Sequence, residues 1–504
     1  MNQPPRDSKD LMDRIVKILD ADIGGTYCVG GYVRDAHIGR NSKDIDLIFP
    51  NETLLKKVNK LVEAFECSFF VMDENRGYYR LLVPSHDSLD FTIDIVPVGK
   101  SIEENLASRD FTINSIALPL INHRLLTEII DPFDGVTDII RRTIRQVTPH
   151  VFEDDPLRML RAVRLSNELE FIIDEQTQHQ IKAHSNLLQN VSQERCRDEF
   201  INMMNLNDSV SILKTLDTYH LLIQLFPDLE LARGVSQPDQ HYWDVFNHSI
   251  ETVGFFERIA VRKLRDNDEK LSRIPWVDFI EDYFSEKVGS GRSRLVLTKV
   301  AALLHDIAKP ATKKTDSTGK TRFLGHPEQG AEMAKSLMGR LKFSNREINF
   351  VTLIIEQHLR PMQLSNNLEK PSKRAIFRFK RDVKDALFSV LYLSIADYLA
   401  AKGPKLRDDS WDRRVEYCQW VLSDLIVRED NDHVEPPLIT GNDLISSLEL
   451  VPGPLIGLLL EEIQEAIAVG DITDKKVALQ YAEELIKKIG SSETLADRRM
   501  EEIR

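Results

Sequence analysis

At 504 residues the chain is too long for a single hydrophobic core, and with 42% hydrophobic and 29% charged residues it has a globular composition, not a fibrous or disordered one. No run of about 18 apolar residues is available to span a membrane, and the opening Met-Asn-Gln-Pro-Pro-Arg-Asp lacks the apolar core of a signal peptide. Cys28, Cys67, Cys196 and Cys418 never fall in CxxC spacing, which excludes a disulfide framework or zinc knuckle and fits a cytoplasmic protein, while the net charge of −14 weighs mildly against nucleic acid as a partner.

Residues 1–22 read as a helical brace. From Thr26 to about Leu120, short β-rich runs (27–29, 45–49, 69–72, 78–83, 91–96 and 115–118) alternate with two helical patterns, the signature of a small mixed α/β domain. Within it lies Gly30-Gly31-Tyr32-Val33-Arg34-Asp35, followed by Asp44-Ile45-Asp46. Paired glycines let backbone pass close to a bulky anion, and Arg34 supplies a forked cation for phosphate. Asp44 and Asp46, two apart in a strand, leave the same face. Two hard carboxylates beside an anion cradle are what Mg²⁺ needs to bridge protein and nucleotide phosphates, so the segment reads as a nucleotidyl-transfer site.

At the far end of this domain, Arg109-Asp110-Phe111-Thr112-Ile113-Asn114 offers a carboxylate for a ribose hydroxyl and a guanidinium for phosphate, or an ordinary surface ion pair. Asp131-Pro132-Phe133-Asp134-Gly135 is a turn signature, and after Pro149 the strands stop. Arg141, Arg142, Arg145, Arg158, Arg161 and Arg164 cluster within 24 residues, enough for a basic groove on an acidic body. In the helix begun by Asp155-Pro156-Leu157-Arg158, Asp155, Arg158 and Arg161 share a face and Leu157, Leu160 and Val163 another. A carboxylate and a guanidinium presented together pair with the edges of C and A and leave U and G unsatisfied, at about 1–3 kcal/mol per unpaired buried group. The bland alternative is a salt-bridged helix start. Ser192-Gln193-Glu194-Arg195 with Glu199 reads as a capping box with ion pairs inside one helix.

The second half carries a separate signal. Arg233 to Pro238 marks a boundary, residues 265–294 read as an insertion or long loop, and Glu435-Pro436-Pro437 opens a last helical segment. Between them His248, His305-Asp306, His326, His358 and Asp397 all fall in helical context, a donor set for a divalent cation that generates hydroxide for phosphoester hydrolysis. Lys373 to Lys384 holds six basic residues, either a phosphate-binding or a solvated helix face.

Together these motifs resemble the class II tRNA nucleotidyltransferase / poly(A) polymerase family fused to an HD-type phosphohydrolase domain, over roughly residues 24 to 500. Asp131 to Gly135 with Ile144-Arg145 is similar to that family's hinge motif, Ser192 to Glu199 to its fifth motif, and Pro437 to Gly441 with Pro452 to Gly457 to the tail of HD-bearing members. The resemblance implies an α+β chain. A small polymerase-β-like nucleotidyltransferase α/β head (1–148) is followed by an all-α neck and body with base-reading and RNA-binding helices (149–235), an α-helical HD domain (236–430) and a helical tail (431–504).

It also implies template-independent addition of CMP, and of AMP in full CCA-adding members, from CTP and ATP to tRNA 3′ ends. Asp44 and Asp46, with Asp94 as a third carboxylate, would hold Mg²⁺; Gly30, Gly31, Arg34, Arg109 and Asp110 would bind triphosphate and ribose. Asp155, Arg158, Arg161 and Arg164 would read or hold the nucleotide, and the basic neck would take the tRNA acceptor arm. The six histidines and aspartates of the second half would hold the HD metal, whose identity the resemblance does not give. Ser108 and Asp154 depart from the family's arginine and glutamate. Only 14 residues separate Asp94 from Arg109, as in enzymes that add CC alone, where full CCA-adding members carry a longer loop. The other readings are a poly(A) polymerase, an HD phosphohydrolase as the principal activity, and a non-catalytic tRNA-binding scaffold.

Overall fold

Alternate residues of Asp44–Phe49 and Phe91–Pro97 are withdrawn from solvent, as strands with one fully covered face require. The computed structural model describes residues 5–19, 25–74, 76–85, 90–121, 124–125, 129–238, 241–289, 291–365, 368–429 and 438–490. These form two units, residues 1–206 with 211–227 and residues 207–210 with 228–504.

The first unit is built on β1 (Thr26–Val29), β2 (Asp44–Phe49), β3 (Ser68–Asp73), β4 (Tyr78–Val83), β5 (Phe91–Pro97), β6 (Ala117–Ile121) and β7 (Arg124–Leu125), in the spatial order β3-β4-β5-β2-β1-β6-β7. β2 and β5 run parallel and the other neighbours antiparallel. Ile45, Leu47, Ile93, Ile95 and Leu81 fill one face beneath α3 (Leu54–Phe65), whose Lys57 lies over the Phe49 ring. The expected brace is α1 (Ser8–Leu19), which buries Leu11, Met12, Ile15 and Leu19 and packs on α3. On the opposite face Ile102 and Leu106 of α4 (Ile102–Ala107) join Val29, Ile48 and Ala117 in a core cluster. That cluster leaves the amino-terminal end of β2 uncovered.

The turn at residues 131–135 starts a helix. Asp131 accepts from the Gly135 and Val136 amides at 2.7 and 2.9 Å, and a Cβ on Gly135 would meet Ile116 at 2.8 Å and the Thr112 carbonyl. The chain beyond is laced to the head, with the Thr112 amide donating to the Arg145 carbonyl (2.9 Å) and the Val147 amide to the Asp110 carbonyl (3.2 Å). The helix Arg158–Leu169 buries Leu160 and Val163, with Leu157 buried at its N-cap, as its spacing predicts.

Strands do not stop at Pro149. Ile172–Ile173 pairs with Thr143–Ile144, and two hairpins follow, Lys287–Val288 with Arg292–Ser293 and Lys313–Thr315 with Thr321–Phe323. Segments of two or three residues are too short to show a period. Residues 265–294 are likewise folded in their described part. Arg265 donates to the Ser272 and Ile274 carbonyls, the Trp411 indole to that of Lys270, and Ile280 and Phe284 are buried.

The second unit packs the helices Val245–Ala260, Arg294–Leu304, Asn345–Gln357 and Leu387–Lys402. The helical run Lys373–Lys405 holds a window long and apolar enough to cross a membrane, 78% of which is buried within the protein; Leu387–Lys402, buried on nearly every side, is a core helix. The helices Gly441–Leu448, Pro454–Val469 and Lys475–Gly490 enclose their own core of Leu444, Leu459, Ile463 and Ile472. Arg374 and Arg378 close on Glu465 and Asp471 at 2.7–3.2 Å, so these arginines of the basic run form a helix–helix seam, not a solvated face. Residues 435–437 lie outside the described residues.

Candidate functional site

The register of the first sheet assembles the acidic groups. Asp46 stands opposite Asp94, Asp44 opposite Thr92, and Asp94 opposite Arg80, so all three carboxylates share the uncovered face. Arg80 grips Asp94 with Nε and Nη2, both at 2.7 Å. Arg109 Nη1 lies 3.5 Å from Asp46 Oδ2. Burial raises the pKa of Asp44 and of Asp46, and the charge of Asp94 adds to both, against opposition from Thr92 and Arg109 respectively. Carboxylates whose charged form is disfavoured by burial and by like charge gain from a nearby cation. Among the described residues the three do not form a ligand group with donor atoms within 4.8 Å of one another.

Gly30 has φ +74°, and a Cβ there would stand 2.6 Å from Arg109 Nη1 and against the Asp46 carboxylate. Only glycine takes both that conformation and that proximity without strain. Arg34 is buried, donating to Asp35 Oδ1 at 2.7 and 2.9 Å and to Asn114 Oδ1 at 2.7 Å. Asn114 donates in turn to Asp110 Oδ1 (3.0 Å), whose other oxygen meets Arg161 Nε at 2.9 Å. Burial opposes the charge of Asp110, but Arg161, Asn114 and the Phe111 amide outweigh it and hold the carboxyl below its ordinary range.

The pair expected to read the base is braced from the segment 192–199 and from the head domain. Asp155 receives both Nη atoms of Arg195 (2.7 and 3.3 Å), and Arg158 Nη2 donates to the Ser108 carbonyl at 2.7 Å. Arg164 bonds Glu199 and Glu168, each at 2.7 Å. The capping box expected at residues 192–199 is not formed: Ser192 caps without a side-chain bond, and Arg195 and Glu199 reach across to the loop before the helix Arg158–Leu169 and to that helix. A cavity of about 860 Å³ brings these groups together. Gly31, Arg34, Asp44, Asp46, Asp94, Arg109, Asp110, Asp155, Arg158, Arg161 and Arg164 all line it, and Gly30 lies directly behind. Arg80 and Arg195 line it as well; their signal is the partner they bond, invisible without the register.

The second constellation gathers around the buried Asp306, with Asp397 partly exposed. Its Oδ2 lies 3.3 and 3.2 Å from the Nε2 atoms of His248 and His305, and Oδ1 3.4 and 4.0 Å from those of His326 and His358. Asp397 Oδ1 stands 3.0 Å from His248 Nε2 and 3.8 Å from His305 Nε2. Nδ1 of His305, His326 and His358 each meets a backbone carbonyl at 2.6–2.8 Å, which fixes the ring and turns Nε2 inward. The inward Nε2 atoms of His326 and His358 make no hydrogen bond. All six residues predicted from the sequence therefore meet, in three overlapping ligand triads with donor atoms within 4.8 Å, and the orphaned nitrogens and mixed imidazole–carboxylate chemistry fit a divalent cation. Burial opposes the charge on His305, but Asp306 and Asp397 lift it to about 10; burial and His305 push His358 down to about 3.

Three family models match: "Poly A polymerase head domain" over residues 26–145, "Probable RNA and SrmB- binding site of polymerase A" over 170–232, and "HD domain" over 245–402. An A-adding tRNA nucleotidyltransferase of Deinococcus radiodurans is 29% identical, covering 91% of this chain and 95% of that protein. A CC-adding tRNA nucleotidyltransferase of Thermus thermophilus is 27% identical over 90% of this chain and 92% of that one. In fold the chain is similar to the Thermotoga maritima CCA-adding enzyme complexed with tRNA, with a TM-score of 0.59 and 21% identity over 96% of this chain and 97% of the other.

Proposed function

The chain belongs to the class II tRNA nucleotidyltransferase / poly(A) polymerase family with a fused HD domain, and on that premise we propose that it transfers cytidylate from CTP to the 3′ end of tRNA. The observation that carries this reading is the register-matched carboxylate face of Asp44, Asp46 and Asp94 opening into one cleft with Asp155, Arg158 and Arg161. Asp44 and Asp46, with Asp94, would hold Mg²⁺, which would supply charge neutralisation to the triphosphate and acidify the attacking hydroxyl. Gly30 and Gly31 let the triphosphate approach the backbone, and Arg109 faces its charge. Asp110, fixed by Arg161 and Asn114, accepts from the ribose. Asp155 accepts from the exocyclic amine of the base while Arg158 donates to the neighbouring ring atom. With these groups aligned, the RNA 3′-oxygen bonds to the α-phosphorus as pyrophosphate leaves.

Base choice follows from the short connection after β5. It holds a turn at Gly99-Lys100 and then α4, whose Ile102 and Leu106 are buried in the core. No long loop is available there to re-set the pocket between C and A, which favours a single fixed specificity. The A-adding relative from Deinococcus favours the second reading, addition of A to a tRNA already ending in CC. Tailing of RNA with A, as by a poly(A) polymerase, is a third product pattern. Labelled tRNA transcripts ending before CCA, or after CC, distinguish them. Growth by two residues with CTP alone is expected; growth of the CC-ended transcript by one with ATP, and none with CTP, overturns the cytidylate assignment. A long ladder with ATP identifies poly(A) synthesis.

Gly30→Ala places a methyl group between Arg109 and Asp46 and forces an L-residue to positive φ. The expected result is a fall of about 10²-fold in kcat/KM for CTP with a small drop in melting temperature, read by steady-state incorporation and thermal unfolding. For the HD unit we propose a metal-dependent phosphohydrolase acting on phosphate ends such as 2′,3′-cyclic phosphates.

A further inference from the structure

The line of side chains that holds the carboxylates does not end with them. Asp46 on β2 pairs with Asp94 on β5, Asp94 with Arg80 on β4, and Arg80 with Phe70 on β3. Directly paired residues project from one face, so four strands carry Asp46, Asp94, Arg80 and Phe70 in a row. Tyr78, two residues before Arg80, stands on that face too. Phe69 points the other way and stacks on Tyr79 with ring centroids 5.9 Å apart.

Within the strip Arg80 is braced and the two rings are exposed. Nε and Nη2 of Arg80 are fixed on Asp94, which sets the guanidinium plane and leaves Nη1 as its further donor group. Phe70 is 49% and Tyr78 38% exposed, unusual for rings on a sheet. Tyr78 and Arg80 line the same cavity as Asp44 and Asp46, while β3 is the outer edge of the sheet. Exposed rings interleaved with a braced cation suit a single-stranded nucleic acid, whose bases stack on aromatic faces and whose phosphates meet guanidinium. The strip is continuous with the carboxylates, where a reacting 3′-hydroxyl has to arrive.

We propose that Phe70, Tyr78 and Arg80 seat the single-stranded 3′ terminus of the RNA, with bases stacked on the two rings and a phosphodiester on Arg80, so that the terminal hydroxyl lies over Asp94 and Asp46. The inference rests on the head domain being the RNA-extending unit. Arg80 and Asp94 act together here: the carboxylate orients the guanidinium that positions the RNA.

The test is binding by the full-length protein in EDTA, where no transfer occurs, measured by fluorescence anisotropy. The probes are a hairpin RNA with a short single-stranded 3′ overhang and the same hairpin with a blunt end. Tyr78→Ala and Phe70→Ala are each expected to weaken binding of the overhang hairpin about tenfold and to leave the blunt one unchanged. Tyr78→Phe retains wild-type affinity, and Phe70→Leu, which keeps apolar bulk without a ring, serves if Phe70→Ala does not fold. Arg80→Gln is expected to reduce the slope of log affinity against log salt by about 0.7. Equal effects on both hairpins, no effect, or wild-type indifference to the overhang overturns the proposal. So does a wild-type dimer that Phe70→Ala converts to monomer without altered RNA affinity, which would assign β3 to contact between copies. A wild type that discriminates the overhang as expected but extends no tRNA overturns the functional reading alone.

Discussion

Asp46→Asn is expected to lower the rate of CMP incorporation by about 10²–10³-fold while leaving tRNA affinity within about twofold. Asp46 occupies the centre of the carboxylate face, opposite Asp94 and 3.5 Å from Arg109, and an amide there has the same shape but no charge for a cation. The substitution also carries its own control for folding. Because burial raises the pKa of Asp46, its ionised form is less stable in the folded chain than in the unfolded one at neutral pH. Stability gained from that group is therefore present only as pH falls through its raised value. Removing the charge is expected to leave the melting temperature unchanged or higher at pH 7. A rate loss accompanied by a large drop in melting temperature would show that Asp46 is a structural group. Single-turnover incorporation and thermal unfolding, measured on one preparation, separate the two.

Asp306→Asn is expected to abolish metal-dependent phosphohydrolysis, by about 10³-fold or more, and to destabilise the second unit by about 3–5 kcal/mol. Asp306 lies within 4.0 Å of Nε2 on all four histidines and 2.5 Å from Lys309 Nζ. Burial opposes its charge, but His305 and Lys309 hold its carboxyl well below the usual range. Losing that charge strands Lys309 as a buried cation and removes what lifts His305, whose burial then favours the neutral ring. His358→Ala separates metal loss from instability, because a ring held neutral by a pKa near 3 leaves no charge behind. It is expected to lower bound metal and hydrolysis while sparing the melting temperature of the metal-free protein. Metal content by elemental analysis and hydrolysis of a 2′,3′-cyclic phosphate read the outcome. His305→Ala with unchanged hydrolysis would remove the HD centre from that activity.

What the sequence revealed and what it hid follow from the range of each interaction. Asp44 and Asp46 were legible because strand geometry alone puts them on one face, and the histidines because few other uses explain them in helices beside His305-Asp306. Arg195 was not, since its meaning is Asp155, 40 positions away; read locally, it joins a capping box that does not form. Arg80 became visible only through the β4–β5 register, which no single-strand period records. The basic run at 373–384 left a phosphate-binding and a solvated face equally open until Glu465 and Asp471 came into contact with it. Residues 265–294, polar and glycine-bearing, resembled a loop because their helices are a turn or two long and buried at few positions.

The most direct test of the account is product sequencing after wild-type protein, Asp44→Asn and Asp46→Asn have each been incubated with tRNA lacking CCA, CTP and a divalent cation. Addition of two cytidylates by the wild type, lost in both variants and on chelation while tRNA binding persists, is the predicted result. Undiminished addition by either variant, or by the wild type in EDTA, would contradict the claim that this pair of carboxylates holds the cation for transfer.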